Sequence, residues 1–154
     1  MDRQFLSEAI KIARENIDQK GGPFGAVIVK EGEIIAKAGN RVTENNDPTA
    51  HAEILAIREA SARLGNFNLK GCILYSSCEP CPMCLGAIYW ARLDKVIFAC
   101  DHEDAKAAGF DDTVIYREFA KPPGDRKLNM VQSQREEGLE VFRKWNEKPD
   151  KEEY

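Results

Sequence analysis

The chain has 154 residues, 43% of them hydrophobic, enough to close one core and to be expected to fold as a single domain over residues 1 to 154. Its 26 acidic against 22 basic side chains give a net charge of −4 and a pI near 5.3, which supplies no basic field for phosphate backbones and weighs against a nucleic-acid partner. No run approaches the ~20 apolar residues of a membrane span, and Met1-Asp2-Arg3-Gln4 lacks a secretory apolar region, so the cytoplasm is the expected location and a small, weakly charged molecule the expected partner.

Phe5, Leu6, Ala9, Ile10, Ala13 and Ile17 recur at helical spacing and predict an amphipathic helix over residues 2 to 18, ended by Gly21-Gly22. Residues 25 to 30 and 33 to 38 flank Glu31-Gly32 and read as a β-hairpin with a two-residue turn. Just before it, Gly22-Pro23-Phe24-Gly25 is a loop whose glycines permit close backbone approach to a ligand. Phe24 is either a plain loop residue or a pocket wall packing on a planar base. Past the hairpin, Asn40 and the polar Asn45-Asn46-Asp47-Pro48 lead into a helix expected over residues 48 to 63, with Asp47 as N-cap, Pro48 at its first position and His51 in its first turn. Gly65 stops it.

Residues 71 to 76 read as a strand, followed at once by a thiol-bearing turn and a helix from Cys81 or Pro82 to about Arg92. Met83, Ile88 and Trp90 are assigned to the core, as are Cys72 and Cys100 as small buried hydrophobes. Residues 95 to 100 form the next strand, and residues 102 to 108 a short helix closed by Gly109, with His102 a surface or turn histidine. A hairpin followed by alternating strands and helices implies a mixed sheet with helices on both faces. Phe110-Asp111-Asp112-Thr113 is a loop beside a site or a helix cap. Lys121-Pro122-Pro123-Gly124-Asp125 is the clearest hinge. Beyond it Leu139, Val141, Phe142 and Trp145 predict a further amphipathic helix, which packs on its own sheet or swaps onto a partner's, before a charged tail.

The chemistry concentrates in His51-Ala52-Glu53 and Ser77-Cys78-Glu79-Pro80-Cys81-Pro82-Met83-Cys84. One imidazole and two thiols three positions apart are ligands that suit zinc. Three protein ligands leave a position open for water, the mark of a catalytic site, whereas a closed structural site would recruit Cys78 as a fourth. Zinc lowers the pKa of its water to about 7, and Glu53 remains as a free acid or base. One geometric tension follows. On an ideal helix His51 and Glu53 point about 200° apart, so both face one metal only if it sits over the helix start. Five cysteines, an odd number with two assigned to metal, make a disulfide framework implausible.

Asn40, Pro48-Thr49-Ala50-His51-Ala52-Glu53 and residues 77 to 84 together resemble the cytidine deaminase superfamily. Residues 22 to 30, 85 to 92, 109 to 112 and the closing Glu153-Tyr154 are similar to its bacterial guanine deaminase branch, with the likeness weakest over 119 to 147. The resemblance implies a three-layer α/β/α sandwich on a five-stranded mixed sheet, one zinc per subunit on His51, Cys81 and Cys84, and Glu53 as proton carrier. It implies base-binding roles for Asn40 and Asp112, and a homodimer whose segment 120 to 154 is exchanged so that Tyr154 closes a site. The expected reaction is hydrolytic deamination of a purine base, guanine to xanthine. Guanosine, cytosine, aminotriazines and tRNA adenosine are alternative substrates, and a non-enzymatic zinc-stabilised module is the remaining reading.

Overall fold

The computed structural model describes residues 2–154, and a hairpin supplies the first two strands of its sheet. Strands β1 (Gly25–Lys30) and β2 (Glu33–Gly39) pair antiparallel across Glu31 and Gly32, whose φ values of 51° and 82° are the two left-handed residues that a type I′ turn requires. β1 also pairs antiparallel with β3 (Cys72–Cys78), and β3 pairs parallel with β4 (Lys95–Cys100), giving the order β2-β1-β3-β4. A parallel neighbour needs a crossover, and helix α4 (Pro82–Ala91) provides it.

Alternate residues of the central strands serve opposite faces. Ala26, Ile28 and Leu74 pack with Ala52, Ala56 and Ala60 of α3 (Ala52–Leu64) and with Ile88 of α4. Val27, Val29 and Tyr75 pack with Phe5 and Ala9 of α1 (Asp2–Asp18). Helices therefore cover both faces in three layers. Ile28 and Leu74 are fully buried, each stabilising the fold by about 1.5–3 kcal/mol. The run of alanines along α3 brings its backbone close to the sheet, which matters because the first turn of α3 carries the site.

The structure corrects several expectations. The sheet has four strands among the described residues, not five. Only four runs in the sequence have strand character, and after Cys100 the chain forms helices α5 (His102–Ala107), α6 (Thr113–Phe119) and α7 (Arg135–Glu147) with a 3-10 turn at Pro123–Asp125. Trp90 is 66% exposed instead of buried. Helix α4 is apolar on nearly every side, so composition did not mark its inward face, which Cys84, Ile88 and Ala91 occupy. Cys100 is exposed at the end of the edge strand β4. A short helix α2 (Val42–Asn45) replaces part of the expected turn segment.

The chain divides into two compact units, one ending at Thr113 and one running Val114–Tyr154. The proline-rich stretch belongs to the second, where Arg126 Nε donates to the carbonyls of Glu118 (3.1 Å) and Lys121 (3.2 Å) and the Glu118 carboxylate accepts the Lys127 N–H. No helix among the described residues is long and apolar enough to cross a membrane.

Candidate active site

Helix α3 begins at Ala52, four residues later than the capping signal suggested. Asp47 closes a local turn instead of capping the helix, its Oδ1 accepting the Thr49 N–H (2.8 Å) and hydroxyl (2.7 Å). His51 consequently stands outside the helix as its N-cap residue with extended backbone, φ −70° and ψ 153°, while Glu53 is inside the first turn. The expected conflict between two side chains 200° apart on one helix thereby disappears. Cys81 occupies the same position on α4, an extended N-cap followed by Pro82 at the first helical position, and its sulfur accepts the Cys84 N–H at 3.5 Å.

These two helix starts converge. His51 Nδ1 lies 3.5 Å from the Sγ of Cys81 and 3.5 Å from that of Cys84, and the three ligand atoms fall within 4.8 Å of one another. Zinc–sulfur and zinc–nitrogen bonds of ordinary length at a tetrahedral angle place such atoms about 3.6 Å apart, so the triad fits zinc. Its charges agree. The hydrogen bond from Cys84, then that from His51, brings the Cys81 thiol down to about 4, while Cys84 is pushed up beside it and His51 is raised, first by its bond to Cys81. The two thiols are pushed in opposite directions by each other, and a divalent cation held between them would favour the thiolate of both. Cys78 stands apart. Its buried thiol donates to the Asp101 carbonyl at 3.5 Å, and burial pushes it up to about 11. Among the described residues the metal-holding group is His51, Cys81 and Cys84.

Glu53 is buried against this group. Ser76 Oγ donates to its Oε1 at 3.2 Å, and its Oε2 lies 3.5 Å from the Cys84 sulfur. Desolvation, ahead of every other influence, raises its carboxyl above the ordinary carboxylate range, which favours its holding a proton as well as giving one up.

A chain of contacts links the metal turn to the other expected residues. Ser77 Oγ accepts the Gly25 N–H at 3.0 Å, which anchors the loop carrying Phe24. The Phe24 carbonyl accepts the Asn40 N–H at 3.1 Å, and the Phe24 ring meets Phe110 edge-on at 4.9 Å between centroids. Two residues on, Asp112 keeps a buried Oδ1 with no hydrogen-bond partner, and burial followed by the nearby Cys81 sulfur raises its carboxyl. Asn40 is itself buried and its Oδ1 accepts the Val42 N–H at 3.2 Å. A backbone N–H needs an oxygen, so that bond turns the Nδ2 donors the other way. Tyr154 lies in the C-terminal unit, 71% exposed.

Ser76 stands outside both motifs, and Ser77 opens the second with no role read from it. The signal was present, since two hydroxyls interrupt an apolar strand immediately before the thiol turn. The segment 110 to 113 reads as a loop beside a site or a helix cap, and the pairing of Phe110 with Phe24 is a tertiary fact that spacing does not encode.

Residues 1–100 match the family model for the cytidine and deoxycytidylate deaminase zinc-binding region. Guanine deaminase of Bacillus subtilis (strain 168) is 54% identical over 151 residues, 97% of each chain. The X-ray structure of guanine deaminase from Bacillus subtilis superposes with a TM-score of 0.96 at 53% identity, over 99% of this chain and 98% of that one. A tRNA-specific adenosine deaminase of Aquifex aeolicus (strain VF5) is 53% identical, over 62% of this chain and 63% of its own length.

Proposed function

Because the chain belongs to the cytidine and deoxycytidylate deaminase family, we propose that it is a zinc-dependent hydrolase converting guanine and water to xanthine and ammonia. The observation that carries this reading is the convergence of His51, Cys81 and Cys84 within 4.8 Å with the buried Glu53 carboxyl in contact with the same group. Three protein ligands on a tetrahedral metal leave one place for water.

Zinc held by this triad supplies a Lewis acid that makes a nucleophile available from water at neutral pH. Everything else falls to side chains. Glu53 takes the proton that the attacking water gives up and passes it to the ring nitrogen beside C2. In the second half it takes the proton of the hydroxyl now on C2 and delivers it to the 2-amino group, so that C2 becomes a carbonyl as the C–N bond breaks and ammonia leaves. Ser76 holds one carboxylate oxygen in place, which leaves the other to carry the proton.

Base selection belongs to the rim. Ionised Asp112 is acceptor-only and has a buried oxygen to satisfy, which suits a ring N–H of the base. Asn40 presents donors, which suit a ring or exocyclic acceptor. Phe24, braced by Phe110, offers an aromatic face for the planar ring. Guanine carries both donor and acceptor edges, so it answers the two polarities together. The acidic composition and the match to guanine deaminase through the C-terminal third favour the free base over a tRNA.

The reading extends to a cytoplasmic homodimer with one zinc per subunit, in which segment 120 to 154 is exchanged and Tyr154 closes a site. Its supports are the separately compact C-terminal unit, the prolines at 122 and 123, and the exposed Val141 and Phe142 of α7. Incubating zinc-replete protein with guanine tests the reaction: xanthine and ammonia in equal amounts are expected, and guanine recovered unchanged would refute it.

A further inference from the structure

The base-facing rim is held from behind by one buried side chain of α1. Asn16 is a polar residue on the helix face that also buries Phe5, Ala9 and Ala13, and it is almost fully buried itself. Its single amide spans two separate loops: Nδ2 donates to the Gly22 carbonyl at 2.7 Å and to the Asn40 carbonyl at 2.8 Å. The Asn16 carbonyl also accepts the Gly21 N–H at 2.9 Å. Both donors of the amide are thus spent on the backbone of the two segments that carry Phe24 and Asn40. Those segments are joined in front by the Asn40 N–H to the Phe24 carbonyl.

Two glycines leave room for this clamp. A Cβ at Gly39 would lie 2.5 Å from Asn16 Oδ1, and one at Gly21 would lie 2.2 Å from Asn16 Nδ2. The obstacle at Gly39 is the end of a side chain, so a methyl there would push the amide away and leave β2 in place. An ordinary helix-end asparagine would satisfy its own turn. This one reaches to residue 40, and it touches neither the metal triad nor Glu53.

We propose that Asn16 is a positioning residue for base recognition, holding the 22–25 loop and Asn40 in the register that aims the Phe24 ring and the Asn40 donors at one ligand. The inference rests on the base-binding reading of Asn40 given above. Loss of the clamp loosens recognition and leaves the metal chemistry intact.

The test uses the full-length, zinc-loaded protein and reads guanine KM, kcat, zinc content, thermal midpoint and equilibrium binding of 8-azaguanine by calorimetry. Asn16→Ala and Gly39→Ala are each expected to raise KM and the analogue's Kd about tenfold, with kcat within about threefold and zinc at one per chain. The double variant is expected to be no worse than Asn16→Ala alone, because the added methyl then has no amide to displace. A purely structural role predicts a lower midpoint and a smaller active fraction with KM and Kd unchanged, and that result overturns the proposal, in Gly39→Ala alone if Asn16→Ala does not fold. Asn40→Ala is the control. If it raises KM while the Asn16 and Gly39 variants do not, the clamp falls and the base-reading assignment stands; if all are silent, both fall.

Discussion

His51, Glu53, Cys81 and Cys84 stand on the starts of two helices packed on one face of the sheet, whereas Phe24, Asn40 and Asp112 stand on loops. In the first group the polar atoms satisfy one another and converge on a place for one ion. In the second, Asp112 Oδ1 has no partner and the Asn40 Nδ2 donors are turned away from the bond its oxygen makes. A metal floor is finished when its ion binds; the rim, as proposed above, is finished by the base it reads. The two regions should therefore fail differently when changed.

The largest effect is expected from the floor itself. Cys84→Ser removes a buried ligand and should take zinc content from one per chain to near zero with complete loss of deamination, as measured by metal analysis alongside ammonia release. Glu53→Gln keeps the ligands and removes the carboxylate proposed to carry protons, so zinc should stay while kcat falls about 10²–10⁴-fold. Retention of substantial turnover in that variant would remove Glu53 from the chemistry.

Rim changes should be milder and should appear in KM. Asp112→Asn is expected to raise guanine KM about 10–100-fold with zinc retained. It should also reveal a trade between function and stability. Burial raises the Asp112 carboxyl above its ordinary 3.8, so its contribution to stability is full below 3.8 and is lost as pH rises through the raised folded value. At neutral pH the ligand-free protein carries that cost. Asp112→Asn should then raise the thermal midpoint at pH 7 and flatten the pH dependence above 3.8. A midpoint that falls at pH 7 would contradict this.

The smallest effect is expected at Cys78, close to the metal in sequence and outside its ligand group. Cys78→Ser should keep full zinc content and cost about 1 kcal/mol at most. Loss of zinc would make Cys78 a fourth ligand and turn the open site into a closed structural one.

Much of the floor was legible because its signals are local: two short motifs at fixed spacing, each at a predicted helix start. The helix boundary itself was misread, since Asp47-Pro48 carries the same letters for an N-cap as for the turn that Asp47 in fact closes on Thr49. That one correction moved His51 out of the helix and removed the conflict with Glu53. The hairpin and α1 followed from periodicity, whereas the inward face of α4 did not, because nearly all its sides are apolar. The fifth strand came from resemblance alone and has no matching run in the residues. Asn16 and the orphan oxygen of Asp112 became visible only once distant segments were brought together.

The most direct measurement is ammonia release by zinc-replete protein from guanine, guanosine, cytosine and adenine side by side. The floor and rim together predict a strong preference for guanine. Preference for another of the four would leave the metal chemistry standing and overturn the roles given to Asn40 and Asp112, and silence on all four would contradict the assignment of this site to base deamination.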